Sequence, residues 1–428
     1  MSGLSGVLAL ALAGPCAYAA DVFIGVEGGP SKRAWVVGLD AFLPADPKNQ
    51  ESAEAGRLLR DTLRSDLLFS RYVDLVETIP PANIADAKER DRRWKTGGAA
   101  LVLQAKASRT ADQVVLEAVL RDLASGQAIL SRYYRQSAEH QRSLAHRLAD
   151  DVIKQLTGRM GIAHTRIAFS NDQTGSKELY LADYDGSGVK PVTRNRSINL
   201  LPRWHPDGRS LAFTSYKDGN PDLFLFDLNR GSLRTLSDRQ GLNLAGGFSP
   251  DGNSLAATLS RGKNPNIFLI SLKNGAAKEQ TSHWGVDSSP TFSPDGNFLS
   301  FVSDRSGNPQ VYTLELATGR TKRLTNLNWC DTPAWSPSGE WIVFAGRANV
   351  KDRIDIFLVD ITGTRLVQLT HGEGSNESPS WSPDGRFLTY SSTRDGGRRR
   401  IFVMDADGSA PHILADVPGN SFNPSWGP

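Results

Sequence analysis

The chain has 428 residues, of which 39% are hydrophobic and 22% are charged, and its formal net charge is +3. The length predicts two or more domains, and the composition is typical of a globular protein. Because 49 basic residues stand against 46 acidic ones, the sequence lacks the basic excess of most nucleic-acid-binding proteins, and we expect no nucleic-acid partner.

Residues 1–19 predict a secretory signal peptide. They carry no charge, contain an apolar run from Leu4 to Ala13 and end in Ala17-Tyr18-Ala19, which is a small-residue cleavage pattern. A lipoprotein signal that uses Cys16 is the alternative, and the proline immediately before that cysteine argues against it. No other segment approaches about 18 unbroken apolar residues, so we expect no integral membrane span.

Residues 20–32 form a separate N-terminal arm. From Asp21 to Glu27 the sequence alternates, with Val22, Ile24 and Val26 on one face, and a Gly-Gly-Pro break follows. Two interpretations remain open. The arm is either an edge strand of the next domain or a peptide that adds to the sheet edge of a partner protein.

Residues 33–160 contain no repeat and predict a small α/β domain. The spacing of Leu58, Leu59 and Leu63 indicates an amphipathic helix, and the alternation of Val114 and Leu116 indicates a strand. We expect helices at 51–65, 83–95 (with Asn83 as a possible cap) and 137–157, and strands near 72–76, 100–107, 113–122 and 128–135.

Residues 161–428 repeat a short turn motif, an aromatic residue followed by Ser or His, Pro, Asp or Ser, and Gly. The aromatic anchors are Trp204, Phe248, Phe292, Trp335 and Trp381, at spacings of 44, 44, 43 and 46 residues. Proline presets φ, aspartate accepts backbone hydrogen bonds and glycine supplies a positive φ, so each motif predicts a tight hairpin. Four short strands per period are typical of β-propeller blades, with each anchor aromatic packed between neighbouring blades.

The two ends of the repeat region complement each other. The first set, from Arg166, has three strands and no anchor, whereas a truncated copy ending at Trp426 supplies an anchor strand alone. Together they make one blade. The sequence therefore predicts a multidomain chain in which a small N-terminal α/β domain precedes a six-bladed β-propeller closed by the C-terminal strand.

Small and mostly polar residues occupy the position five residues before each anchor aromatic. They are Asn199, Asn243, Asp287, Cys330, Asn376 and Ser421, with Asp331 and Glu377 adjacent to two of them. If the innermost strands begin near the axis, these residues ring one mouth of the central channel. The alternative is that they only cap strands and turns.

The sequence contains no nucleophile elbow, zinc-protease motif or Walker loop, so we expect no enzymatic activity, no cofactor and no metal. Two alternatives remain: the propeller of a peptidase-like enzyme, and a propeller that binds a small ligand in its channel. Fold alone does not decide among these functions. We also expect a monomer.

The order of signal, arm, α/β domain and closed propeller resembles the TolB family, the periplasmic propeller proteins of the Tol-Pal system. The resemblance covers nearly the whole chain and includes Thr165-Arg-Ile-Ala-Phe169, Ala182-Asp-Tyr-Asp-Gly186 and the closing repeat at Trp426. It implies a periplasmic interaction scaffold that supports envelope integrity and constriction during cell division.

The same resemblance implies two partners. The arm would bind the C-terminal domain of TolA through Asp21, Val22, Ile24, Val26 and Glu27. The propeller mouth would bind Pal, the peptidoglycan-associated outer-membrane lipoprotein, through Asn199, Leu242, Asn243, Ala245, Asp287, Ser288, Asp331, Asn376 and Glu377. Ala245 matches an alanine of the family, whereas Leu242 and Ser288 stand where the family can have histidine and threonine.

Overall fold

A computed structural model describes residues 34–77, 86–260 and 264–428. The predicted signal and arm, including the five arm residues implied to bind TolA, lie outside the described residues. Within the described part, an N-terminal α/β domain is followed by six four-stranded antiparallel sheets, so the predicted fold is confirmed.

The N-terminal domain contains one mixed sheet of five strands. Its strands are β1 (Trp35–Pro44), β2 (Val73–Val76), β3 (Leu101–Arg109), β4 (Gln113–Asp122) and β5 (Ala128–Ser137), in the spatial order β2-β1-β3-β4-β5. Strand β1 pairs in parallel with both β2 and β3, and the last three strands form an antiparallel meander.

Strand β1 lies inside this sheet, between β2 and β3, and was missing from the sequence prediction. Its alternation is interrupted at Gly38, where an added Cβ would lie 2.5 Å from the ring of the fully buried Trp94. A side chain at this position is therefore sterically excluded. The glycine that obscures the strand pattern in the sequence is what lets the indole pack against the sheet.

Among the described residues of this domain, three α-helices pack on the sheet: α1 (Gln50–Phe69), α2 (Ala87–Thr96) and α3 (Arg142–Thr157). Helices α1 and α3 pack together through Leu59, Leu63 and Leu148, whereas α2 inserts Trp94 on the opposite face beside Val102. Helix α1 begins after Asn49, whose side chain accepts from the Ser52 N–H at 2.9 Å, and it runs four residues beyond the predicted end, to Phe69.

Two other helix boundaries differ from the prediction. Helix α2 begins at Ala87 and is capped by Asp86, which accepts from the Lys88 N–H at 2.9 Å; the expected cap, Asn83, lies outside the described residues. Helix α3 begins at Arg142 rather than Ser137, since residues 138–140 form a 3₁₀ turn. An Asp in place of Asn satisfies the same free N–H groups, so the sequence signal was ambiguous.

Each propeller blade has four strands, which are ordered from the innermost strand beside the central axis to the outermost strand. The innermost strands are β9 (Asn199–Trp204), β13 (Asn243–Phe248), β17 (Asp287–Phe292), β21 (Trp329–Trp335), β25 (Asn376–Trp381) and β29 (Ser421–Trp426). The second strands are β6 (Arg166–Asn171), β10 (Ser210–Ser215), β14 (Ser254–Ser260), β18 (Phe298–Ser303), β22 (Trp341–Arg347) and β26 (Phe387–Ser392).

The third strands are β7 (Glu178–Asp183), β11 (Asp222–Asp227), β15 (Pro265–Ser271), β19 (Gln310–Glu315), β23 (Asp355–Asp360) and β27 (Arg400–Asp405). The outer strands are short: β8 (Lys190–Pro191), β12 (Ser232–Ser237), β16 (Ala277–Glu279), β20 (Thr321–Arg323), β24 (Leu366–Gln368) and β28 (His412–Ile413). Strand β29 pairs with β6, which closes the ring as predicted from the two chain ends.

The anchor motifs form the predicted hairpins between first and second strands. In the first, Gly208 has φ +67° and its N–H donates to the His205 carbonyl at 3.0 Å, while Asp207 accepts from the Arg209 N–H at 2.7 Å. The indole of Trp204 packs on the preceding blade and donates to the Ser425 carbonyl at 3.0 Å. The anchors therefore make the turn and also join neighbouring blades.

Candidate functional site at the propeller mouth

The propeller has two distinct faces. Strand register places Asn199 opposite Ser215 and Trp204 opposite Leu211, so the loops before the inner strands and the anchor turns lie at opposite ends. The N-terminal domain packs on the anchor-turn face at the last blade: Phe69 packs on Phe387 at 4.5 Å between ring centroids, and Arg386 lies 4.0 Å over Tyr72. We call the other end, where the inner strands begin, the mouth.

The six residues predicted to ring the mouth are buried in the blades. We call them the hub residues: Asn199, Asn243, Asp287, Cys330, Asn376 and Ser421, none more than 4% exposed. Packing turns these side chains into the protein, which supports the alternative that they cap strands and turns. Their contact with a partner at the mouth stays a prediction.

Two of the hub asparagines join neighbouring blades. Asn199 donates to the Lys177 carbonyl at 2.9 Å and to Glu178 at 3.1 Å, both in the preceding blade. Asn376 likewise donates to Asp355 and Thr370, each at 3.1 Å. A buried amide that satisfies several partners at once fixes the position of its strand. These contacts support the structural alternative for the hub positions.

One hub residue is charged. Asp287 is fully buried, and both of its carboxylate oxygens accept from Arg305 Nη2, at 3.0 and 2.9 Å. Arg305 also lies over the rings of Phe301 and Tyr312, at 5.3 and 5.2 Å. The ion pair thus braces the loop between β18 and β19 against the start of β17.

Cys330 is the hub residue of its blade, and its thiol has low reactivity. It is fully buried and lies 3.4 Å from Thr325 Oγ1. Burial raises the pKa of this thiol to about 11. The nucleophilic thiolate is therefore scarce at neutral pH, which agrees with a packing role.

The residue after each hub residue is half-buried and stands at the channel entrance. These entrance residues are Leu200, Leu244, Ser288, Asp331, Glu377 and Phe422. Since the inner strands contact one another in ring order, the apolar members Phe422, Leu200 and Leu244 form one arc. The other arc consists of Ser288, Asp331 and Glu377, so the entrance has an apolar half and a polar half.

The backbone at the entrance is strained. The residue that follows the entrance residue has a positive φ of 49–54° in five of the six inner strands: Leu201, Ser289, Thr332, Ser378 and Asn423. Strand pairing is interrupted at the same place in each strand. Non-glycine residues in this conformation cluster at binding and switch sites, where the surrounding packing maintains the strain.

Asp331 and Arg203, from inner strands on opposite sides of the ring, interact through their charges. Burial raises the pKa of Asp331, although this carboxylate accepts from the Thr332 N–H at 2.7 Å and from Ser289 at 3.2 Å. Burial lowers the pKa of Arg203 to about 10, and the charge of Asp331 opposes that change. The five residues equivalent to Arg203 are small: Gly247, Thr291, Ala334, Ser380 and Ser425. Arg203 is thus the one large side chain at its level of the channel wall.

Exposed apolar side chains stand on the loops that lead into the inner strands. Trp284 is 69% exposed, Ile198 44% and Val286 41%, and Leu242 is half-buried beside them along the ring. The loop of Trp284 is positioned, because Asn264 donates to the Trp284 carbonyl at 2.7 Å. Because these exposed apolar groups recur at the same end of neighbouring blades, they are candidate anchors for a partner.

Sequence reasoning missed Ile198, Trp284 and Val286 and named only Leu242. Their position in the repeat could have identified two of them, because Ile198, Leu242 and Val286 each precede a hub residue by one position. Of the other predicted Pal residues, Ser288, Asp331 and Glu377 are half-buried at the entrance, whereas Ala245 is 3% exposed. Accessible candidates therefore lie on both sides of the buried hub residues rather than on them.

Among the described residues, no helix is both long and apolar enough to span a bilayer.

Comparisons with known proteins agree with this architecture. A family model described as the TolB beta propeller domain matches residues 153–428. The Tol-Pal system protein TolB of Geobacter sulfurreducens is 37% identical over 174 residues, which is 39% of this chain and 40% of that protein. A Protein TolB homolog of Chlorobium chlorochromatii is 32% identical over 208 residues, 47% of this chain and 46% of the relative. The matched segments thus span less than half the length of these curated relatives.

A solved structure extends the likeness to the N-terminal domain. The crystal structure of TolB from Acinetobacter baumannii superimposes with a TM-score of 0.78 at 29% identity and covers 93% of this chain and 97% of that one. The α/β domain and the propeller therefore occur together in the same order in that structure.

Proposed function

Because this chain belongs to the TolB β-propeller family, we propose that it is a non-enzymatic periplasmic scaffold of the Tol-Pal system. In this proposal the mouth binds the Pal lipoprotein and the arm, residues 20–32, binds the C-terminal domain of TolA. Linking these partners would serve envelope integrity and constriction during cell division. The proposal extends the matches, since the relatives' names specify the system and not the contacts.

The observation that carries the proposal is the exposed apolar rim around a strained, charged entrance. Trp284, Ile198 and Val286 offer anchors for burial, while Asp331 and Glu377 offer acceptors inside them. An apolar surface with polar groups at its centre suits a protein partner that inserts a short segment. The N-terminal domain packs on the opposite face at the last blade, so the mouth is the end of the propeller away from that domain.

We expect Trp284→Ala and Ile198→Ala each to weaken binding of a lipid-free Pal domain by about tenfold or more, because buried anchors carry most interface energy. Ser288→Arg should weaken it further by placing a large cation at the entrance. Isothermal titration calorimetry on the mature chain measures these affinities.

Leu233→Ala is the matched control for Ile198→Ala. Both side chains are 44% exposed, but Leu233 lies at the start of the outer strand β12, away from the mouth. The control should keep full affinity. Unchanged Pal binding in all three mouth variants would refute the proposed site.

For the arm, we expect Val22→Ser/Ile24→Ser/Val26→Ser to abolish binding to the TolA C-terminal domain, because an added strand takes its specificity from alternate side chains. Binding to Pal and the melting temperature should not change. Surface plasmon resonance against both partners tests this, with Ser288→Arg as the reciprocal control that retains TolA binding. A large loss of stability in the triple variant would show instead that the arm is a structural strand.

A further inference from the structure

The junction between the N-terminal domain and the propeller contains a buried histidine with one unused ring nitrogen. His146 of α3 is 4% exposed, and its Nδ1 lies 2.9 Å from Asp66 Oδ2. Its Nε2 is buried and has no hydrogen-bond partner. A buried polar atom without a partner is uncommon and costs free energy, so its environment requires an explanation.

Two carboxylates from the first blade approach this histidine. Asp183 ends β7 and Asp185 lies in the following turn; the ligand atoms of His146, Asp183 and Asp185 all lie within 4.8 Å of one another. The turn is well fixed, since the Ser187 N–H donates to Asp185 at 3.0 Å and the Asp183 N–H donates to the Ser187 carbonyl at 2.9 Å. The three groups thus come from both domains.

The charges at this junction do not balance. Three carboxylates lie here, those of Asp66, Asp183 and Asp185. Against them stand two guanidinium groups: Arg142 lies 2.7 Å from Asp185, and Arg166 interacts with the charge of Asp183. With a neutral His146 the cluster has an excess of negative charge in a largely buried place. Buried charges in proteins are paired or bind metal ions.

We propose that His146, Asp183 and Asp185 bind a divalent cation of the zinc type, which clamps α3 to the first blade. One imidazole nitrogen and two carboxylates match the three protein ligands of an open zinc site, whereas calcium and magnesium prefer oxygen alone. Asp66 completes the arrangement: a carboxylate on Nδ1 holds the proton there and leaves the Nε2 lone pair free for the metal.

The geometry needs a side-chain adjustment. Two ligands of a tetrahedral zinc ion, each about 2.0–2.2 Å from the metal, lie about 3.3–3.6 Å apart. The three groups lie within 4.8 Å of one another, so side-chain rotations that move their ligand atoms by about 1 Å are needed to close the site. The competing occupant of Nε2 is a proton: although burial opposes it, the charges of Asp66, Asp185 and Asp183 raise the pKa of His146.

The test is a zinc titration of the untagged mature chain after treatment with EDTA. We expect one Zn²⁺ per chain by calorimetry and a melting temperature that rises with zinc concentration. Asp183→Asn and Asp185→Asn should abolish both effects with little change of shape. Asp66→Asn should lower zinc affinity about 10–100-fold, as loss of a group that orients a metal ligand does.

His164→Gln is the matched control. His164 lies at the same junction, with Nδ1 2.6 Å from Asp150, but its side chain is 45% exposed. This variant should bind zinc normally. The proposal is overturned by the absence of stoichiometric zinc binding, by equal affinity in Asp183→Asn and the parent, or by a melting temperature that responds to pH and not to zinc, which would assign a proton to Nε2.

Discussion

Replacing Trp426 with alanine will lower the free energy of unfolding by about 3–5 kcal/mol, the usual cost of removing a buried aromatic side chain. Trp426 is 6% exposed and lies in β29, which closes the ring. Its indole donates to Thr165 at 2.9 Å and stacks on Phe387 of the last blade at 6.3 Å between ring centroids. Its loss therefore loosens the joint between the first and last blades.

Urea unfolding followed by near-ultraviolet circular dichroism measures this effect. Trp284→Ala is the matched control, because it removes the same side chain from a position that is 69% exposed. We expect the control to stay within about 0.5 kcal/mol of the parent, as is usual for surface substitutions. Equal destabilisation by the two variants would contradict closure of the ring at Trp426.

Replacing Asp287 with alanine will also destabilise the protein, by about 3–5 kcal/mol, because it leaves Arg305 charged and unpaired in a buried site. Asp287 is fully buried and the Arg305 side chain is 16% exposed. Adding Arg305→Met should restore much of the loss, since the unpaired charge is then gone. Thermal and urea unfolding of the single and double variants measure the two changes.

Asp416→Ala is the control for this ion pair. It removes the partner of Arg398 at 2.8 Å, but the two side chains are 67% and 40% exposed, so we expect a loss of at most about 1 kcal/mol. If Asp287→Ala were as mild as the control, the brace at the mouth would be refuted. The result also affects binding experiments, because weaker Pal binding in Asp287→Ala would follow from a displaced loop and not from a lost contact.

The propeller was predictable because its determinants are local. The anchor motif specifies a turn through φ preferences and hydrogen bonds within five residues, and it recurs in five of the six blades. Ring closure followed from counting strands at the two ends. The N-terminal domain was less predictable. Strand β1 contains Gly38, which packs against Trp94, a residue distant in sequence.

The sequence predicted binding residues at the mouth; their contact with Pal stays a prediction, and several of the named side chains are buried. The sequence marked a polar residue at the start of each inner strand, but only the packed blades decide that Asn199 and Asn376 point into their neighbours. The exposed rim was missed because apolar residues in a loop are ordinarily assigned to the interior. The exposure of Ile198 and Val286 depends on which neighbouring loops pack against them, and the assembled ring of blades determines that packing.

By itself the sequence determined the six blades, their closure, the order of the domains and the resemblance to TolB, because turn chemistry and strand alternation act between residues close along the chain. Only the tertiary structure decided which polar residues are buried braces, which apolar residues form the rim, and how His146 meets Asp183 and Asp185. These relations join residues that are distant in sequence, and their distances exist only after the blades have closed and the N-terminal domain has docked.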